Sequence, residues 1–389
     1  MAEHSGQAPS RRVYDEEHEA FRELVSRLVV HDVVPEYDTW EQEGSVPLSF
    51  YRRLGELGIL GIQVPQEWGG SGISSMKYSA VLAEETARHG VVLGALRVHV
   101  DIVLPYLLRY ANEAQLARIM PGFVSGDTMT AIAITEPDTG SDVAGIRTTA
   151  KRVGDHYVLN GSKTFITGGA NAGLVLVVCR TAPPKEDDKR YGLSILMVDS
   201  SAPGFSVGRK LQKIGLRAQD TAELFFNDVR VPAENLLGAE NEAFGYLAHN
   251  LAKERLSIAF GAYAAAAAAI EMAKSYTSSR DVFGTPLSGF QNTKFTLAEC
   301  HTETMAAQAL IDRCLELDDA GRLTAVDAAI AKLFCTEVQG RVVDKCLQLH
   351  GGYGYVLDYP IARLYADARV TRIYGGTSEV LKSIISKSL

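Results

Sequence analysis

A single glutamate, Glu254, stands where the sequence predicts the apolar face of a helix. Apolar residues and a glycine recur at helical spacing along residues 241–279: Phe244, Leu247, Leu251, Ile258 and Gly261. Glu254 falls in the gap of this stripe, and no residue three or four positions away from it is cationic. Arg255 is adjacent in sequence but points about 100° away around the helix. We therefore expect a buried carboxyl group without a local partner.

Burial of a carboxyl group has a chemical consequence. Removing the group from water raises its pKa toward neutrality, the range in which a general base works best. Two alternatives give Glu254 a purely structural role. Either a distant Lys or Arg pairs with it, or the helix is rotated and the carboxylate faces solvent. The spacing of residues leaves all of these possibilities open, and the burial and contacts of Glu254 decide between them.

Three glycine-rich segments could bring backbone amides close to a large ligand. Residues 135–142 follow a strand-like run and end in small polar residues, whose exposed amides could bind phosphate. Residues 350–355 alternate glycine with aromatic side chains. Residues 374–379 open the last helix, with Thr377 as its predicted N-cap and free amides directed at any anion. Each segment by itself is equally typical of an ordinary turn.

The predicted secondary structure that positions these residues changes twice along the chain, from helix to strand and back to helix. Residues 15–125 carry apolar residues three and four apart and are predicted to be helical, apart from a loop at 64–72 rich in turn formers. Residues 128–231 contain short β-branched runs, and Asn160-Gly161 between two of them predicts a hairpin. Further strands are expected at 175–179, 193–198 and 222–226. Helices are expected near 241–279, 288–320, 324–350 and 377–388, which makes the fold class α+β.

Charge and motif content restrict the class of function. Thirty-nine Lys and Arg against 47 Asp and Glu leave a net charge of −8, so no overall field attracts nucleic acid or anionic lipid. The sequence has no nicotinamide-type GxGxxG motif, P-loop, HExxH or GxSxG. We therefore expect no nucleic-acid partner and no metal site.

The cysteines and the chain ends bear on the compartment. Five irregularly spaced cysteines predict small buried side chains rather than disulfides or metal ligands: Cys179, Cys300, Cys314, Cys335 and Cys346. The N-terminal residues lack a secretory apolar core and are too acidic for a mitochondrial presequence. The longest apolar run, near 258–273, is Ala-rich and flanked by charges, which predicts a buried helix and not a membrane span. We expect a cytoplasmic protein.

Taken in order, these segments resemble the acyl-CoA dehydrogenase family over nearly the whole chain, and most closely its long-chain type. The motifs that carry the resemblance are spread along the sequence: 64–72, Thr135-Glu136-Pro137, Gly140-Ser141-Asp142, 219–224, Glu254-Arg255-Leu256, Ser279-Arg280, Phe283-Gly284, Gln291, Gln348, Gly351-Gly352 and 373–379. The family implies a helical N-terminal domain, a central antiparallel β-barrel and a C-terminal four-helix bundle. We place these domains at residues 1–127, 128–237 and 238–389.

The resemblance also implies FAD as cofactor and a homo-oligomer, a tetramer built from dimers. The residues it implies for FAD are Ile134, Thr135, Gly140, Ser141, Phe165, Thr167, Arg280, Phe283, Gln291, Gln348, Gly351, Gly352, Thr377 and Glu379. Those between Arg280 and Gly352 would reach the FAD of a neighbouring subunit. Phe165 stands where many members have Trp. The residues implied for acyl-CoA are Ser141, Arg255, Tyr374 and Gly375.

Most family members carry the catalytic glutamate at the position of Gly375. A minority, including the long-chain and isovaleryl types, carries it on the Glu-Arg-Leu helix, where this chain has Glu254, and a bare Gly375 would leave room for that side chain. The resemblance implies α,β-dehydrogenation of an acyl-CoA thioester in fatty-acid metabolism. Glu254 would remove the α proton, the N–H of Gly375 would polarise the carbonyl, and flavin would accept the hydride.

An electron-transfer flavoprotein is the implied electron acceptor. Two alternatives share the fold: a flavin monooxygenase or oxidase that uses oxygen, and a non-catalytic FAD or acyl-CoA binding protein. Acyl length and branching are not predicted, because they depend on the depth of a pocket.

Overall fold

A computed structural model describes residues 11–389. The first part is helical: α1 (Glu16–Leu28), α2 (Tyr37–Glu43), α3 (Leu48–Glu56), α4 (Lys77–Arg88), α5 (Leu104–Tyr110) and α6 (Glu113–Ser125). Capping boxes at Asp15 and Asn112 start α1 and α6, because each side chain satisfies free N–H groups of the first turn. The predicted loop at 64–72 is present and contains one 3₁₀ turn, Gln66–Trp68.

A single mixed sheet forms the middle of the chain. Its strands are β1 (Thr130–Ala133), β2 (Thr149–Val153), β3 (His156–Thr167), β4 (Leu174–Arg180), β5 (Leu193–Asp199), β6 (Phe205–Lys210), β7 (Thr221–Pro232) and β8 (Leu236–Leu237). They lie in the order β6-β7-β3-β2-β4-β5-β8, with β1 paired to β4. The pairing is antiparallel as predicted, except that β4 runs parallel to β1 and, at one residue pair, to β2.

The sheet has a buried core on both of its faces. Along β4, Leu176 packs with the cluster that includes Phe123 of α6, whereas the next residue, Val177, packs with the cluster that includes Leu224 of β7. Successive side chains of a strand point to opposite faces. The N-terminal helices therefore cover one face of β4, and the curved sheet encloses the other.

The hairpin predicted at Asn160-Gly161 is wrong. Both residues lie inside β3, and the chain reverses earlier, at Gly154-Asp155 between β2 and β3. Gly161 has φ +147° and lies at a register shift between β3 and β7. A Cβ atom there would lie 2.8 Å from the Cα atom of Thr148. The glycine therefore serves a bulge with close backbone approach, not a turn.

The last part of the chain is again helical. Its helices are α7 (Ala243–Ser279), α8 (Gln291–Asp319), α9 (Ala325–His350), α10 (Pro360–Ala368) and α11 (Ser378–Ser386). The hairpin of β9 (Asp281–Val282) and β10 (Thr285–Pro286) joins α7 to α8. The long helix α7 packs against α4, α8 and α9. The short helix α10 was not predicted from the sequence.

Helix α7 is the central element of this domain. Within residues 11–389 it is the one helix long and apolar enough to cross a bilayer, but most of its apolar stretch is buried inside the protein. The prediction of a buried helix is therefore confirmed. All five cysteines are buried and unpaired, as predicted. Across the described part of the chain, no three metal-binding side chains cluster together.

Candidate active site

Glu254 lies in the first third of α7 and is 8% exposed. Its Oε1 accepts a 3.0 Å hydrogen bond from the hydroxyl of Tyr106 on α5. Among the described residues, no cationic nitrogen lies within 4 Å of the carboxylate. The expectation of a buried carboxyl group without a salt bridge is therefore confirmed, and both structural alternatives for this side chain are removed.

The environment of Glu254 sets its protonation. Burial raises the pKa of this carboxyl group to about 7, while the hydrogen bond from Tyr106 and the charge of Arg255 act in the opposite direction. Burial is also the largest cause that raises the pKa of Tyr106, so its hydroxyl stays protonated and acts as the donor. Glu254 is thus partly ionised near neutral pH and can take up a proton there.

Asn250 lies one turn before Glu254 on the same helix. Its side chain is buried, and its Nδ2 atom has no hydrogen-bond partner among the described residues. A buried amide without a partner costs free energy unless a ligand or water satisfies it. Asn250 also lies near the hydroxyl of Tyr106, whose pKa its side chain lowers, so it belongs to the polar surroundings of Glu254.

The segment before α11 faces Glu254's helix. Gly375 has φ +62°, and a Cβ atom there would lie 2.4 Å from the Cδ1 atom of Ile258. Ile258 lies one turn after Glu254, so Ile258 occupies the space that a side chain at Gly375 would need. The Nε atom of Arg255 donates to the carbonyl oxygen of Gly375 at 3.4 Å. The predicted N-cap is present, since the hydroxyl of Thr377 accepts the N–H of residue 380.

Lys332 of α9 binds the same segment before α11. Its side chain is buried, and Nζ donates to the carbonyl oxygens of Tyr374, at 2.5 Å, and Gly376. Sequence reasoning missed this residue, although a signal was available: a lysine inside the apolar run 328–335, as anomalous there as Glu254 is in α7. No comparable signal marks Tyr106, because a tyrosine in a helix is ordinary.

The residues predicted to line a flavin ring come together on the sheet. The backbone N–H of Thr164 donates to the carbonyl oxygen of Thr135, and Lys163 Nζ donates to that of Ile134. These bonds place the end of β1 beside Phe165, whose ring is 67% exposed. Thr167 follows two residues later at the end of β3.

The adjoining loop, residues 135–142, is fixed by the buried side chain of Glu136 and exposes its backbone at Gly140 to solvent. The carboxylate of Glu136 accepts the N–H groups of Arg147 and Thr148 and pairs with Lys163. Ser141 is exposed, and a Cβ atom at Gly140 would meet no atom within 4 Å. The backbone of this loop is therefore fixed and accessible to a ligand.

The remaining predicted cofactor residues lie elsewhere. Those at the far end of the helical domain are all on the surface of the chain: Arg280, Phe283, Gln291, Gln348, Gly351 and Gly352. Helix α7 ends at Ser279, 25 residues beyond Glu254, which corresponds to about 38 Å of helix. One chain therefore does not bring this group and Glu254 to the same cofactor. Glu379 is exposed in the first turn of α11.

A cavity of about 110 Å³ lies beside α7. Ile258 and Gly261 line it, and they share a helix face with Glu254 because steps of four and seven residues return to nearly the same direction. Tyr374 and Arg97 line it from other segments. The cavity is therefore lined by Ile258, one turn after the predicted base, and by Tyr374, the residue before the predicted carbonyl donor.

Arg97 is fixed at this cavity by α7. Its Nη2 atom donates to the hydroxyl of Ser257 at 2.6 Å and to the carbonyl oxygen of the same residue. Its Nε atom lies 3.6 Å from the carboxylate of Asp101, which also accepts the hydroxyls of Ser79 and Ser257. Its guanidinium lies over Gly261, where a Cβ atom would collide with it.

Comparison with protein families covers all three parts of the chain. Residues 15–127, 131–229 and 241–389 match the N-terminal, middle and C-terminal domains of acyl-CoA dehydrogenases, in that order.

Individual proteins show the same similarity. The mitochondrial long-chain specific acyl-CoA dehydrogenase of Sus scrofa is 41% identical over 97% of this chain and 88% of its own length. The crystal structure of an acyl-CoA dehydrogenase from Geobacillus kaustophilus has a TM-score of 0.94 at 43% identity, covering 97% and 99% of the two chains. A glutaryl-CoA dehydrogenase from Mycobacterium smegmatis in complex with FADH2 has a TM-score of 0.89 at 28% identity, covering 98% and 96%. This chain belongs to the acyl-CoA dehydrogenase family.

Proposed function

We propose that this protein dehydrogenates acyl-CoA thioesters between the α and β carbons, with FAD as cofactor and Glu254 as the base. The carboxyl group of Glu254 carries the proposal. It is buried, has a pKa of about 7 and contacts the hydroxyl of Tyr106 instead of a cation. A structural carboxylate in a core is normally paired, whereas a base must be free to take up a proton. Membership of the family supports the same role for this helix.

Gly375 is the proposed donor to the thioester carbonyl. The α proton of a thioester is only weakly acidic, so the negative charge that forms on the carbonyl oxygen must be stabilised. Removing one such fixed donor typically costs about 3 kcal/mol of transition-state stabilisation. Gly375 is held through its own carbonyl oxygen, which accepts a hydrogen bond from Arg255. Arg255 therefore positions the donor while lying next to the base in sequence.

FAD fits the surface of the sheet. The exposed ring of Phe165 and the fixed backbone at Ile134 and Thr135 suit a flat ligand, and the open backbone at Gly140 suits a phosphate group. We assign Thr167 to the same ring contacts. The chemistry that bound FAD supplies is acceptance of the hydride from the β carbon.

The distal surface residues support a homo-oligomer. Arg280 and Phe283 follow the end of α7, which is about 38 Å of helix from Glu254, too far to bind the same cofactor within one subunit. Phe283 is 96% exposed in the isolated chain, and Tyr355 is 91% exposed. A second copy that covers this surface would bring Arg280 and Phe283 to its own FAD. A tetramer built from two such dimers is the proposed assembly.

The cavity beside α7 is the proposed site for the acyl chain. Ile258, one turn after Glu254, and Tyr374, next to Gly375, line it, so a chain bound there would extend away from these two groups. Ser141, on the open loop, is assigned to the CoA arm or the cofactor phosphates. We propose an electron-transfer flavoprotein as the acceptor that reoxidises the enzyme.

Anaerobic mixing of the purified yellow protein with straight, branched and aromatic acyl-CoA thioesters tests this function. We expect loss of the visible absorbance of oxidised flavin with at least one class of thioester. Glu254→Gln should keep its FAD and lose this reduction, and Glu254→Asp should retain a small part of it. Near-normal reduction by Glu254→Gln would exclude the assignment. Rapid reoxidation by air alone would point to an oxidase.

A further inference from the structure

Lys332 is a buried lysine without an acidic partner. Its side chain has no exposed surface, and no carboxylate of the described residues lies within salt-bridge distance of Nζ. Burial lowers the pKa of Lys332 to about 7, and the nearby charge of Arg255 adds to this effect. A buried ammonium that is not neutralised is costly, and such groups concentrate at functional sites.

Two cations bind three consecutive carbonyl groups of the segment before α11. Lys332 Nζ donates to the carbonyl oxygens of Tyr374 and Gly376, and Arg255 Nε donates to that of Gly375. Three successive peptide groups are therefore held by two basic side chains. Such an arrangement exceeds what a simple turn requires, since α11 already has its own N-cap.

The bond to Tyr374 has a specific electronic consequence. The carbonyl group of Tyr374 and the N–H of Gly375 belong to one planar peptide group. A charged donor at the oxygen of a peptide group polarises it and strengthens its N–H as a donor, because linked hydrogen bonds reinforce one another. Lys332 thus acts on the N–H that we assign to the thioester carbonyl.

We propose that Lys332 is a positioning residue that orients and polarises the Gly375 N–H, so that the negative charge formed on the thioester oxygen is stabilised when Glu254 removes the α proton. This inference rests on the proposed function. Lys332 does not touch the substrate. Its ammonium acts through the peptide group that joins Tyr374 to Gly375. A negative counter-charge is present only while the thioester oxygen carries negative charge.

The test uses the FAD-loaded enzyme with a 3-thiaacyl-CoA thioester. This analogue can lose its α proton but cannot donate a hydride, because sulfur occupies the β position. Its ionised form gives a long-wavelength charge-transfer absorption with oxidised flavin, so the pKa of the bound analogue can be read by titration. We expect Lys332→Met to raise that pKa by about one unit or more. We also expect its kcat with acyl-CoA to fall about tenfold or more, with little change in KM. Direct loss of a fixed donor lowers kcat by about 10²–10³-fold, and an effect through the donor's peptide group should be smaller.

Two further variants separate this role from a structural one. Lys332→Arg keeps the charge and should restore most of the analogue pKa. Thr336→Val, one turn further along α9, removes a buried hydroxyl that binds only carbonyl groups of its own helix and should leave the analogue pKa unchanged. If Lys332→Met does not fold with FAD, Lys332→Gln gives the same comparison with Lys332→Arg.

An unchanged analogue pKa in the lysine variants that retain FAD overturns this inference. Equal shifts in Lys332→Arg and Lys332→Gln overturn it as well, since charge would then be irrelevant. Failure of the proposed function is distinct. It appears in the unsubstituted enzyme, as absence of flavin reduction by any acyl-CoA, or as full activity of Glu254→Gln.

Discussion

The hydroxyl of Tyr106 donates a 3.0 Å hydrogen bond to Oε1 of Glu254, across 148 residues of sequence. The bond favours the ionised carboxylate and so lowers its pKa, whereas burial raises it. The net value of about 7 is the balance of these opposing effects. The tyrosine therefore lowers the pH at which the proposed base becomes active, against the larger effect of burial.

Tyr106→Phe should move the pH dependence of catalysis upward. Without the donor, the pKa of Glu254 rises further, so a smaller fraction is ionised at pH 7. A hydrogen bond to a charged group is worth roughly 1.5 kcal/mol or more, which corresponds to about one pH unit. We expect the acidic limb of the kcat/KM profile to shift by about that amount. Tyr37→Phe, which also removes a buried hydroxyl, should leave the limb in place. An unshifted limb in Tyr106→Phe would contradict the assignment.

Glu254→Gln should stabilise the protein at alkaline pH. The folded pKa of about 7 lies above the ordinary value of 4.5, so the native state holds a proton that the unfolded state releases between these values. Stability therefore falls as pH rises from about 4.5 to 7, by about 3 kcal/mol in total. An uncharged amide removes this dependence.

Thermal unfolding of FAD-loaded Glu254→Gln checks this expectation. Its Tm should exceed that of the unsubstituted protein at pH 8 and approach it at pH 4.5. Glu316→Gln, an exposed glutamate on α8, should show neither effect. The same difference in Tm at both pH values would show that Glu254 is not a carboxyl group of raised pKa.

Gly375→Ala should lose both stability and activity. An alanine at φ +62° is strained by about 1 kcal/mol, and its Cβ atom would overlap Ile258 Cδ1 at 2.4 Å. Gly321→Ala, at φ +65° with no atom near its Cβ position, measures the strain alone. Denaturant unfolding should show a larger loss for Gly375→Ala than for Gly321→Ala. Comparing Gly375→Ala with and without Ile258→Ala isolates the overlap; equal losses in both backgrounds would refute it.

Phe283→Ser should weaken the proposed assembly and its hold on FAD. The ring is 96% exposed in the isolated chain, so its loss cannot disturb a monomer core. Light scattering and the ratio of flavin to protein, followed on dilution, should show dissociation and FAD loss together. Val153→Ser removes another exposed apolar side chain, on β2, and should change neither. A monomer that keeps stoichiometric FAD would argue against a shared site.

Arg97→Ala should shift acyl preference toward longer chains. The guanidinium lines the cavity over Gly261, and its removal enlarges the space on that side. Asp101 keeps its hydrogen bonds from Ser79 and Ser257, which partly offset the loss of its cation. The ratio of kcat/KM across acyl-CoA thioesters of increasing length measures the shift. Arg109→Ala, exposed on α5, is the control. An unchanged length profile would place the acyl chain elsewhere.

Local patterns predicted most of the framework. The order of helices, sheet and helices follows from residue spacing, which depends only on near neighbours in the chain. The N-cap at Thr377 was predicted for the same reason. The prediction failed at Asn160-Gly161, where the same dipeptide serves a bulge, because the need for glycine comes from Thr148 on a neighbouring segment.

The residues predicted to bind FAD form two groups that lie far apart, one around Phe165 and one around Arg280. Their assignment to one cofactor remains a prediction. The sheet group around Phe165 is brought together by hydrogen bonds of β1 and β3, which the sequence of neither strand specifies. The group around Arg280 depends on a second chain, and no pattern within one sequence encodes where that chain binds.

By itself, the sequence determined that an acidic residue lies on the buried face of the longest helix, because helical periodicity fixes the direction of Glu254 from its neighbours alone. Only the tertiary structure decided what meets that residue. Tyr106 and Lys332 come from helices separated along the chain from the groups they bind, and their positions depend on how α5 and α9 pack against α7 and the segment before α11. Packing is a property of the whole fold. The pKa of Glu254 and the contacts that hold Gly375 therefore follow only from the three-dimensional structure.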